Sequence, residues 1–164
     1  MLQPVAHILL QVRDGVHELT EGLTVDQFNA RPAGVASVAF HVRHIPGVID
    51  RLFAYARGDS LNDAQFVELR KEGEALRESD IGAAIAAVDE RVDAALAELK
   101  AIDPSTLGDF RGVGRAKLPS TVIGCLVHGA EHAMRHVGQL SVTARIARDS
   151  RPLVHPSTSP PVHQ

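Results

Sequence analysis

Residues Thr121–Arg148 read TVIGCLVHGAEHAMRHVGQLSVTARIAR. Apolar residues recur here at helical intervals, and the stripe places Ile123, Val127, Leu140 and Ile146 toward an interior. Ser120 stands just ahead as an N-cap, since its hydroxyl can accept a first-turn backbone N–H. His128, His132 and His136 form an i, i+4, i+8 series. Each step of four advances about 400°, so successive histidines differ by only about 40° around the axis. His132 and His136 therefore share one face a turn apart, and Gln139 returns to nearly the same stripe. Cys125, seven residues before His132, can approach that face.

Outward from this stretch the chain keeps the helical period. Val5, Ile8, Leu9, Val12, Val16 and Leu19 mark a first helix from Met1 to about Gly22, weakened internally by Gly15. Thr24–Gly34 reads as a connection that includes Arg31-Pro32. Ser37 caps a second helix over Val38–Arg57, ended by Gly58. Pro46 should kink it near His44 or start a new helix. Leu61, Gln65, Phe66 and Leu69 allow a short helix within the polar residues 59–78. Ser79-Asp80 opens a third long helix, Ile81–Ala101, on the stripe Ile85, Val88, Val92, Leu96, Leu99. Residues 103–118 carry Pro104, Gly108, Gly112 and Gly114, and read as an irregular crossing with room for a small β-bridge. The sum is an all-α four-helix bundle over residues 1–150, followed by a proline-rich disordered or extended tail over 151–164.

Composition narrows the function. The 164 residues are 45% apolar, which suits one core, and no apolar run is long enough to cross a membrane. The start has no basic n-region, so a cytoplasmic location is expected. A single cysteine excludes an internal disulfide and a cysteine-based zinc cluster. A net charge of −3 argues against nucleic acid as partner. Nine histidines stand against one tyrosine and no tryptophan. His7, His17, His155 and His163 are isolated and read as ordinary surface or tail residues.

The other five suggest a metal. Two imidazoles one helical turn apart can bind one ion from a single helix. His41 and His44, near neighbours on the second helix, are both candidates for the third ligand. Three imidazoles with positions left open describe a catalytic rather than a structural site. Imidazole ligation suits zinc and nickel first, and admits iron or manganese.

The run SVAFHVRHI over Ser37–Ile45 and the run HAMRHVGQL over His132–Leu140 together resemble the DinB-like (DinB/YfiT) superfamily. Arg31-Pro32 and Asp50-Arg-Leu-Phe-Ala-Tyr-Ala-Arg-Gly58 agree with it, and the resemblance spans about Met1 to Arg148. It implies an up-down four-helix bundle with a long connection between helices two and three. It also implies a divalent metal on three histidines, here His44, His132 and His136, and frequent homodimers. Relatives in bacteria include thiol S-transferases and isomerases that use low-molecular-weight thiols. Val137 departs from the family pattern, which often has a basic residue before Gly-Gln, and His41 and His128 are additional.

The expectation is a metal-dependent thiol S-transferase or hydrolase acting on a small molecule. His41 and His128 would transfer protons, and Gln139 would hold the cofactor or substrate. The alternatives are a non-catalytic metal- or ligand-binding stress-response protein, and an interaction domain with incidental histidines. Arg43 and Glu131 read as solvated surface charges, and Cys125 as a buried structural thiol.

Overall fold

The computed structural model describes residues 2–149, so the expected tail and two of the isolated histidines, His155 and His163, lie outside the described residues. Helix α1 spans Gln3–Thr20, α2 Val25–Asn29, α3 Val38–Arg57, α4 Asp63–Lys71, α5 Glu78–Ala101 and α6 Val122–Asp149. Strands β1 (Phe110–Val113) and β2 (Leu118–Thr121) form an antiparallel hairpin ahead of α6. The chain is thus mostly helical, as its periodicity predicts. No helix among the described residues is long and apolar enough to cross a membrane.

The four long helices pack in the ring order α1, α6, α3, α5, with α1 facing α3 and α5 facing α6 across the diagonals. Cross-helix contacts give their directions. Arg13 meets Asp93 and His17 meets Asp89, so α1 and α5 are antiparallel. Asp50 meets Arg91 and Arg57 meets Glu98, so α3 and α5 are parallel. His41 meets His136 and His44 meets His132, so α3 and α6 are antiparallel. The directions run up, down, down, up rather than strictly alternating. The crossover over residues 58–77 makes this possible, because a parallel neighbour requires the chain to return along the bundle before α5 begins.

Local chemistry explains most boundaries. Ser37 Oγ accepts the Phe40 N–H at 3.1 Å, and Gly58 closes α3 in the left-handed region (φ 89°). Helix α3 continues through Pro46, and no new helix starts there. The short α2, within the expected connection, is set by a Thr24–Gln27 capping box and buries Phe28. Helix α5 begins three residues ahead of the expected Ile81, and Asp80 pairs with Arg77 in its first turn. Pairing with Arg111 draws Ser120 into β2, so Thr121, not Ser120, caps α6 by accepting the Gly124 N–H at 3.1 Å.

The buried face of α6 also departs from expectation. Leu140 is buried, but Val127 and Ile146 are each 44% exposed. Gly129, Ala130, Ala133, Ala144 and Ala147 share that face with Val122, Cys125, Leu126 and Leu140. Small residues at these positions let α6 lie close to α1 and α3, while Val127 and Ile146 fall on the outside. A Cβ on Gly129 would stand 3.4 Å from Leu52 Cβ, and one on Gly15 only 2.8 Å from Val137 Cγ1. Gly15 and Val137, two oddities of the sequence, are therefore one close contact between α1 and α6.

Alanine ordinarily gains about 1 kcal/mol over glycine inside a helix. Gly15→Ala should instead destabilise the protein, because Val137 is stiff at χ1 and must move. Val137→Ala should relieve that cost in the double mutant. Urea unfolding of the four-protein cycle checks this, and additive effects would count against the contact.

Candidate metal centre

Antiparallel packing of α3 on α6 sets two histidine pairs face to face. His44 Nε2 lies 3.2 Å from His132 Nε2, and His136 Nε2 lies 3.1 Å from the same atom. One nitrogen from each of His44, His132 and His136 falls within 4.8 Å of the other two. Among the described residues this is the group of three or more His, Cys, Asp or Glu side chains arranged to hold a metal ion. All three are partly buried, and Phe40 stacks on His44 at 5.1 Å between ring centroids.

The donor set fits a cation. Two nitrogens each 2.0–2.1 Å from a tetrahedral zinc lie about 3.3 Å apart, close to the separations seen here. His44 Nδ1 donates to Glu72 Oε2 at 2.7 Å, which fixes its tautomer and turns an Nε2 lone pair toward the other rings. On the far side His136 Nδ1 lies 3.1 Å from His41 Nδ1. With the His136 Nε2 lone pair in the cluster, its Nδ1–H donates a hydrogen bond to His41 Nδ1.

Sequence reading found the three converging histidines but not Glu72. This carboxylate is 5% exposed and follows α4 in the crossover, with no periodic or motif signal to mark it. Besides His44 it takes a hydrogen bond from Arg51 Nη1 at 2.7 Å. Gly47 makes room for the pair, since a Cβ there would stand 2.7 Å from Glu72 Oε1 and 2.8 Å from Arg51 Nη1. Arg43, expected in solvent, donates to the Lys71 and Glu74 carbonyls and so fastens the segment that carries Glu72. Asn29 exchanges two hydrogen bonds of 2.8 Å with the Leu76 backbone and holds the same segment from α2.

The remaining candidates separate. His41 is buried behind His136 and outside the convergent set. His128 is exposed, with its ring 5.6 Å from that of His132. Gln139 is exposed and makes no side-chain hydrogen bond among the described residues. Glu131 is exposed and pairs with Arg135, and Cys125 is fully buried, both as expected. His7 and His17 are exposed, the latter on Asp89.

Electrostatics disfavour the protonated forms of His41, His132 and His136. Burial first, then the charge of His44, lowers His41 to about 4. Burial, then His44, His41 and His132, lowers His136 to about 4 as well. His132 is lowered by burial and then by His44. Burial alone would raise Glu72, but hydrogen bonds from His44 and Arg51 and their charges hold it below the usual carboxylate range. A histidine whose folded pKa lies below its unfolded 6.5 adds stability that is complete above pH 6.5 and is lost as pH falls toward 4. Metal-free protein should therefore melt at progressively lower temperature from pH 7 to pH 4.5. A melting temperature that stays level across that range would refute the direction.

The sequence model of the DinB superfamily matches residues 8–140. No curated protein gave a match to the chain. The matched span holds α3, the crossover and the part of α6 that carries His128, His132 and His136. By that match the chain belongs to the DinB superfamily.

Proposed function

We propose that this protein is a divalent-metal-dependent enzyme, a thiol S-transferase or hydrolase, with His44, His132 and His136 as ligands. The observation that carries the reading is the convergence of three imidazole nitrogens with a buried carboxylate behind one of them. Zinc or nickel suits these donors first, and iron or manganese next. A divalent cation so held supplies Lewis acidity and makes a thiol or water nucleophilic near neutral pH.

In this reading Glu72 and Arg51 orient His44, and His41 orients His136. That makes His41 a positioning residue rather than the proton carrier its sequence position suggests. His128, exposed beside His132, takes the proton of an incoming thiol or water as a general base. Gln139, exposed on α6 beyond His136, is the group assigned to the thiol cofactor or substrate. The substrate is a small molecule, and the reading includes a cytoplasmic homodimer.

Elemental analysis of protein purified without a histidine tag should find a divalent metal, or the protein should take up zinc or nickel on dialysis. Failure of both would sink the proposal. His132→Ala should abolish uptake while His7→Ala leaves it intact, and retained stoichiometric metal in the former would refute the ligand assignment. Glu72→Gln should weaken affinity about 10–100-fold, as loss of an outer-shell partner does. Metal-loaded protein should also conjugate a small thiol to an electrophile, or hydrolyse an amide or ester. Rates unchanged by chelation would favour the non-catalytic alternative, a metal- or ligand-binding stress-response protein.

A further inference from the structure

A cavity of about 450 Å³ reaches His132 from the surface between α3, the crossover and the β-hairpin. Its walls are apolar: Val48, Leu52 and Tyr55 from α3, and Leu61, Phe66 and Leu69 from the crossover. Leu69 is 40% exposed and Val67, on the same helix, 37%. A concave, mostly apolar wall with a few polar groups is the composition of a small-molecule site.

The polar groups of the slot are few and placed apart. His132 and His128 lie on the α6 side. Arg115, on the turn between β1 and β2, supplies a cation. The second cation, Arg51, is already bonded to Glu72. Arg115 is exposed and has neither an ion pair nor a side-chain hydrogen bond among the described residues. Among the thirteen described arginines, Arg13, Arg51, Arg57, Arg77, Arg91 and Arg135 pair with carboxylates, and Arg31, Arg43, Arg111 and Arg148 donate to backbone carbonyls. An uncommitted guanidinium beside an apolar slot, in a chain of net charge −3, selects an anion, and its planar fork matches a carboxylate.

We infer that this slot binds a small organic acid with an apolar body. The body lies between α3 and the crossover, the carboxylate meets Arg115, and the other end reaches the His132 side of the cluster. This names the substrate class of the site proposed above and rests on that reading for its chemistry, though not for its binding.

Calorimetric titration of octanoate into the full chain, zinc-loaded and metal-free, tests the inference, with octylamine and octanol as chain-matched probes. Octanoate should bind more tightly than octylamine by about tenfold or more, the worth of one charge-assisted contact. Arg115→Ala should remove that preference and leave octanol affinity unchanged. Phe66→Ala should weaken all three probes, and Arg145→Ala, a distant exposed arginine, should alter none. Octanoate binding no tighter than octylamine, or unaffected by Arg115→Ala, would overturn the inference. Arg115-dependent octanoate binding in a protein that takes up no zinc supports the slot and removes the metal reading. Zinc uptake without Arg115-dependent binding does the reverse.

Discussion

Close approach of α6 to its neighbours is the constraint on which the other features depend. The face of α6 that meets α3 and α1 sets glycine and alanine among Cys125, Leu126 and Leu140, and a Cβ on Gly129 would already touch Leu52 and Phe53. Without that approach the histidines of α3 and α6 could not bring ring nitrogens within 3.2 Å of each other. Small residues thus do for the site what bulky ones do for the core elsewhere: they set the distance between helices.

A second constraint is the buried Glu72–Arg51 pair, joined to the histidines through His44. Two charges taken out of water are costly unless each is paired and hydrogen-bonded, and here the carboxylate serves both a guanidinium and an imidazole. The pair depends on the absent side chain of Gly47 and on a crossover tied down by Arg43 and Asn29. The crossover therefore has two structural tasks. It reverses the direction rule of the bundle, and it carries the carboxylate that orients a cluster histidine. Its apolar residues Leu61, Phe66 and Leu69 complete a wall beside His132.

Much of this was legible in the sequence. Helix α3 matched its expected bounds because Ser37 and Gly58 have strong local preferences at caps. His132 and His136 could be paired because helical spacing alone puts them on one face. Elsewhere local rules fell short. Val127 and Ile146 were expected inside, because apolar size suggests burial, whereas interhelix distance favoured alanine. Ser120 was the expected cap, but strand pairing claimed it and passed the role to Thr121. Strict alternation of the helices failed because direction depends on how a crossover runs, which no periodicity encodes.

The sequence by itself determined which residues are helical, where the helices stop, and that two histidines share a face of α6. These are properties of neighbours a turn or less apart. It also carried the DinB superfamily match, since that lies in order and spacing along the chain. Tertiary structure brings His44 to that pair and sets His41 behind it, a choice that helical spacing left open and only the family resemblance pointed to. Both His41 and His44 are on the inner side of α3, one turn apart, and only the register of α3 on α6 separates them. It alone decided that Glu72, polar and unremarkable in its segment, would be buried against His44. The physical reason is the same in both cases. Convergence across 28 to 95 positions of chain is fixed by packing distances between elements, and those distances are set by many side chains at once.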